Sequence, residues 1–169
     1  DDGWNEGKFY MLEEDSDGDV VVEHGDDHRK VYISDSDDAL SAADIAALAG
    51  LSPNQITAGW LANNPEYGGD EDMALKPGIG MDLWNEITGN GAENSNWLLF
   101  ERGYEYEESA LDNILDRNTH GESELHPVYV GAWGEGARPV LNAKLDMWKD
   151  DYSNIVFQGV EFSDGGLVI

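Results

Sequence analysis

The spacing of apolar residues changes along the chain, and each change marks a part. Residues 8–12 and 20–23 are strand-like, and EEDSDGD between them carries the turn pair Asp17-Gly18. Strands flanking an Asp-Gly turn predict a β-hairpin. A second turn at HGDD leads to Val31-Tyr32-Ile33, so residues 1–37 are expected to form a small β-meander. Over 38–64 the period lengthens to that of a helix pair. Ser41 with Asp44 is a capping-box start, Leu40 and Ile45 are placed for a hydrophobic staple, and Gly50 is placed to end the first helix. Ser52-Pro53 starts a second helix, with Ile56 and Trp60 one turn apart. Residues 65–80, with their Gly, Pro and acidic residues, read as a linker. Residues 81–87 predict a short helix with Leu83, Trp84 and Ile87 on its apolar side.

From Ser95 onward the text becomes strand-like. SNWLLFERG at Ser95 and SNIVFQGVE at Ser153 echo each other, and HPVYVGAWG lies between them. With Trp97, Val128 and Ile155 as strand markers, second runs follow at Val140 and Leu167. Tyr104-Glu105-Tyr106 is the nearest companion to Trp97. Two short strands per irregular period suit a β-solenoid, in which each turn leaves an edge that the next turn completes. Leu99, Val130, Ile155 and Phe157 are the inward candidates, and a register shift of one residue would turn any of them outward. ESALDNILDRNTHGESEL interrupts the coils, and its Leu111, Ile114 and Leu115 predict a helical insertion.

WLLFERG, VGAWG, GARPVL and NIVFQGVEF, after a short helix, together resemble the opening coils of right-handed parallel β-helix proteins. That group includes pectate-lyase-like enzymes and phage tailspikes and tail fibres. The resemblance spans residues 79–169. It implies a mainly β fold with short helices: the start of a right-handed parallel β-helix of about three coils, after a small α+β leading region. Residues 81–169 are then a capping helix and first coils. So few coils read as the beginning of a longer β-helix. A self-contained domain capped by a partner chain is the rival expectation.

Charge then narrows the partners. Among 169 residues, 36 acidic side chains face nine basic ones, a formal charge of −27. Such a chain repels nucleic acid and anionic membranes. AADIAALAGLSPNQITAGWL resembles a helix-turn-helix, yet its second helix has no Lys or Arg to meet phosphates, so a packed helix pair is expected instead. No apolar run is long enough to span a membrane. Without cysteine there is neither a disulfide nor a thiolate metal site.

The remaining candidates are few. Asp15, Asp17, Asp19 and Glu23 offer alternating oxygen ligands for calcium, although Val20 stands where an EF-hand needs glycine. His24 and His28 have the spacing of a helical zinc pair but enclose turn residues. Trp133 and Trp148 could stack on sugar rings if they point outward. Paired carboxylates are too numerous to single out, and Arg102, Arg117, Arg138, Lys144 and Lys149 sit in no catalytic motif. The reading is therefore non-enzymatic: an attachment and capping module of a β-helical fibre or spike, such as a phage tail fibre or virion-surface protein. It would lie outside the cell or on the virion, as a trimer or in a larger assembly, with a polysaccharide as ligand. The alternative is the N-terminal part of a secreted polysaccharide lyase or glycoside hydrolase with chemistry on later coils. A stand-alone calcium-dependent adhesion module is a third class.

Overall fold

The computed structural model describes residues 13–16, 18, 20–89, 91, 93–107, 111, 114–115, 119–143, 145–146, 152–163 and 167–168. The architecture is mixed α/β, with short helices and parallel sheets. In chain order the strands are β1 (Lys30–Ile33), β2 (Glu93–Asn94), β3 (Trp97–Glu101), β4 (Glu105–Tyr106), β5 (His120–Gly121), β6 (Val128–Trp133), β7 (Val140–Leu141), β8 (Leu145–Asp146), β9 (Ile155–Phe157), β10 (Glu161–Phe162) and β11 (Leu167–Val168). β1, β3, β6 and β9 form one sheet in that order, and β4, β7 and β10 a second. β2 pairs with β5, and β8 with β11. Every pairing between these strands is parallel. Parallel neighbours cannot be joined by a tight hairpin, so the chain leaves each strand, passes through another sheet and returns.

Register decides what is inside. Val31 aligns with Leu98, Leu98 with Val130, and Val130 with Phe157; Ile33 aligns with Phe100. Val31, Ile33, Leu98, Phe100, Val128 and Val130 are wholly buried, and Ile155 and Phe157 pack against this core. Tyr106, Leu141 and Phe162 form a facing rank on the second sheet. Phe100 meets Tyr106 edge-on with ring centroids 4.9 Å apart, and Phe157 meets Phe162 at 5.7 Å.

Leu99 corrects one expectation. The counterpart of Trp97 is Tyr129 and then Val156, so the Ser-Asn echo of the sequence is one residue out of step with the pairing. Because side chains alternate across a sheet, Leu98 and Phe100 take the inward places and Leu99 turns to the outer face. There it lies between Tyr32 and Gly131 and is still buried.

The expected meander is not the arrangement around β1. Residues 8–12 lie outside the described residues. Residues 20–23 form no strand, although Val20 bridges Glu14 antiparallel across a turn at 15–18. Strand β1 pairs in parallel with distant β3 instead. The strand-prone run Val31-Tyr32-Ile33 buries Val31 and Ile33 completely by joining the core, more than a local hairpin across the HGDD turn could offer.

Three further differences concern connections. After β9 the second run comes at Glu161, not Leu167, because Gln158-Gly159-Val160 suffices for the corner, with Gly159 in the left-handed region at φ 71°. The expected linker 65–80 is ordered against β1: the Tyr32 N–H donates to the Gly68 carbonyl, and Leu75, fully buried, exchanges backbone bonds with Tyr32 and Ser34. The expected second helix is split. Pro53–Gln55 forms one tight turn, and α2 (Ala58–Ala62) restarts where the Thr57 hydroxyl accepts the Trp60 N–H. A threonine cap competes with helix continuation, which explains the break.

The first helix, α1 (Ala42–Ala49), matches its expectation. Ser41 and Asp44 form the reciprocal capping box, and Gly50 ends the helix in the left-handed conformation. The longest helix, α3 (Pro77–Thr88), begins earlier than residue 81 because Pro77 can open a helix whose first N–H groups need no partner. Gly80 lets it approach Ile33 and Leu75, and the Trp84 indole N–H donates to the Ile114 carbonyl at 2.7 Å. Leu111 and Ile114 are buried; the helical insertion expected around them falls largely outside the described residues. Arg29 closes the other side, donating to the carbonyls of Leu61 and Ala62 at the end of α2 and of Tyr67 in the segment beyond it. Among the described residues, no helix is long and apolar enough to cross a membrane.

Candidate functional site

The same alternation that fills the core sets an aromatic rank on the opposite face. Tyr32 of β1, Trp97 of β3, and Tyr129 and Trp133 of β6 all stand on the outer side of the four-stranded sheet, each half-buried. Trp97 and Tyr129 are neighbours in register, with ring centroids 5.2 Å apart. Gly131 makes room for the Tyr129 ring, which lies where a side chain at 131 would stand. Trp133 reaches across to β1: its indole N–H donates to the Ile33 carbonyl at 3.2 Å, and its ring meets Tyr32 edge-on at 5.6 Å.

Polar groups are set around the rings. The Lys30 ammonium lies 4.9 Å from the Trp97 ring centroid, a cation–π geometry. Half-buried Glu101 accepts from the Ser34 hydroxyl. Burial raises the Tyr32 phenol above its ordinary pKa, reinforced by Glu71 and Asp70. His28 stacks on His24, with centroids 4.2 Å apart, and meets the Trp97 edge at 4.9 Å. Its Nδ1–H donates to the Ser95 carbonyl at 2.7 Å. Burial holds its pKa below the ordinary imidazole value; the Ser95 carbonyl opposes this, and His24 and Lys30 add to it. The Trp97 Nε1 and His28 Nε2 atoms are buried and have no hydrogen-bond partner among the described residues.

The sequence candidates are distributed as follows. Trp133 belongs to this face, whereas Trp148 lies outside the described residues. Asp17 and Asp19 also lie outside them. Asp15 is exposed in the turn at 15–18, and Glu23 points to His126 Nε2 at 3.7 Å. Among the described residues no three His, Cys, Asp or Glu side chains are grouped as metal ligands. His24 and His28 meet face to face, an arrangement unlike two ligands converging on zinc. His120 shares a 2.9 Å hydrogen bond with the Ser153 hydroxyl across adjacent turns of chain.

Tyr32, Trp97 and Tyr129 were not singled out by the sequence reading as a ligand face. Their signal was the parity of the strand text: once Leu98 and Phe100 are inside, Trp97 and Tyr129 must be outside. Chemically, among the described residues the face offers wide aromatic surfaces and the Lys30 ammonium, on a chain whose net charge disfavours anions. That combination suits stacking against the apolar faces of uncharged sugar rings.

No family model matches this chain, and neither a curated protein nor a solved structure matches it.

Proposed function

We propose that this chain is the capping and attachment end of a right-handed parallel β-helix in a fibre or spike, at the virion or outside the cell, whose outer aromatic face binds a neutral glycan. The observation that carries the reading is the repeated course of the chain. β3, β6 and β9 stack in one sheet while the strands that follow each of them, β4, β7 and β10, stack in a second. A β-strand, crossover and parallel β-strand is right-handed in nearly all proteins, which supports the handedness. The segment carrying Gly68 and Leu75 lies along β1, and α3 packs on Ile33, as a cap at one end of a stack would. The glycan assignment rests on Tyr32, Trp97, Tyr129 and Trp133 sharing one outward face.

Two measurements test it. Light scattering on the intact chain should give a trimer or a larger species; a strict monomer that recovers no partner refutes the attachment role. A glycan array should show binding to neutral oligosaccharides that is reduced at least tenfold by Trp133→Ala, with folding retained by circular dichroism. Absence of any glycan signal refutes the face assignment and leaves the capping role to the scattering result.

A further inference from the structure

Residues 20–28 run to β1 beside the outer face, and specific attachments hold them there. The Gly25 N–H donates to the Ser95 hydroxyl at 2.7 Å, and the Arg29 N–H that follows donates to Asn96 Oδ1 at 2.9 Å. Glu23 pairs with His126, and the Glu122 side chain stands against Gly25. The segment ends on His28, stacked between His24 and the Trp97 edge.

His28 makes this attachment sensitive to protons. A carbonyl oxygen only accepts, so the Ser95 bond places the imidazole hydrogen on Nδ1 and leaves Nε2 as a bare lone pair. That Nε2 is buried without an acceptor nearby among the described residues. Adding a proton creates an N–H with nothing to donate to, in a ring that gains charge beside Lys30 on β1 and against the stacked His24. Of the carboxylates close by, Glu23 lies 3.7 Å from His126 Nε2 and Glu122 stands against Gly25; neither is the partner of His28 Nε2.

We infer that residues 20–28 are an acid-released strap over the Trp97 end of the outer face, with His28 as its latch. Above the unfolded imidazole value of 6.5 the neutral latch contributes in full. Because the closed state disfavours the proton, that contribution is lost as pH falls below 6.5 towards the lower closed-state value. Release uncovers Trp97 and its indole N–H. The effect on ligand access rests on the glycan reading above, whereas the release itself does not.

Hydrogen exchange on the intact chain between pH 7.5 and 5, corrected for intrinsic rates, tests the latch. The Gly25 and Arg29 amides should lose protection as pH falls from 6.5 towards the closed-state value, by at most about tenfold for each pH unit in that interval and no further below it, while core amides such as Val130 hold theirs. His28→Gln keeps an N–H for Ser95 and takes no charge, so its protection should stay constant over that range. Unchanged protection in the parent chain, or an equal loss in H28Q, overturns the inference. Should H28Q already be open at pH 7.5, Lys30→Met decides: removing that cation must move release to lower pH, and an unmoved midpoint refutes the latch. Neutral-oligosaccharide binding at the two pH values separates the readings. Strap release with no glycan binding at either pH overturns the glycan face and leaves the latch standing.

Discussion

Two glycines in one helix should respond in opposite directions to the same substitution. Gly78 and Gly80 both lie in the first half of α3, and neither has a positive φ. A Cβ at Gly78 meets nothing within 4 Å. Replacing it by alanine therefore gives only the helix-propensity gain, about 0.5–1 kcal/mol. A Cβ at Gly80 would sit 2.9 Å from Ile33 Cγ1, 3.0 Å from its Cδ1 and 3.4 Å from Leu75 Cβ. Ile33 and Leu75 are fully buried, so neither can turn aside into solvent. Overpacking of this kind costs about 1–3 kcal/mol. Propensity cancels between the two variants, so Gly80→Ala should be less stable than Gly78→Ala by about 1–3 kcal/mol. For a chain of this length each kcal/mol moves the melting temperature by about 2–4 °C. Urea unfolding with an unchanged m-value is the second readout, since it separates native-state strain from a change in the unfolded chain. Equal stabilisation by both substitutions would refute the docking of α3 on β1, and with it the cap.

Two other perturbations probe the ends of the same core. Arg29→Met should lower unfolding free energy by about 2–4 kcal/mol in urea titrations, because the carbonyls of Leu61, Ala62 and Tyr67 lose a charged donor; Arg29→Lys should recover less than half, lacking the guanidinium fork. Tyr106→Phe should cost about 0.5–1.5 kcal/mol near neutral pH, since the phenol bonds the carbonyls of Ile33 and Glu101. Burial, then Glu101, raises the Tyr106 pKa, so its contribution is present below the ordinary value of 10.0 and is lost as pH rises through and beyond it. Melting curves at alkaline pH should accordingly fall less steeply for Tyr106→Phe, and parallel curves would contradict that burial.

What could be read in advance was local chemistry. Ser41, Asp44 and Gly50 spell a helix start and stop within ten positions, and the structure forms both. Val128 with Val140 also held, since both strands lie within one turn of chain and are joined by Gly-rich text. What failed was non-local. Nothing in Val31-Tyr32-Ile33 names β3 as its partner, because parallel pairing across so long a separation leaves no turn signature between the strands. The Ser-Asn echo misled for a related reason. Asn154 takes a left-handed φ of 53°, whereas Asn96 accepts the Tyr129 N–H at its carbonyl and uses its Oδ1 to hold Arg29. Identical dipeptides thus occupy different steps of the turn, and the offset reaches the strand that follows. The linker at 65–80 hid Leu75 among Gly, Pro and acidic residues, and its apolar residues Tyr67, Met73, Ala74, Leu75 and Ile79 follow neither a strand nor a helix period.

That offset has functional weight. Sheets of parallel strands usually lie under helices on both faces. Here α3 packs at β1, where Gly80 admits Ile33, while Tyr32, Trp97, Tyr129 and Trp133 stay half-exposed on the outer side. Had Leu99 been the inward residue, Leu98 and Phe100 would have stood outside and Trp97 would have been forced toward the core. β3 would then have contributed Leu98 and Phe100 to that face in place of Trp97. Instead one residue of register puts flat rings outward, with Lys30 above one of them and the Ser34–Glu101 pair close by. On the glycan reading proposed above, these outward rings are the surface on which an uncharged sugar ring would stack.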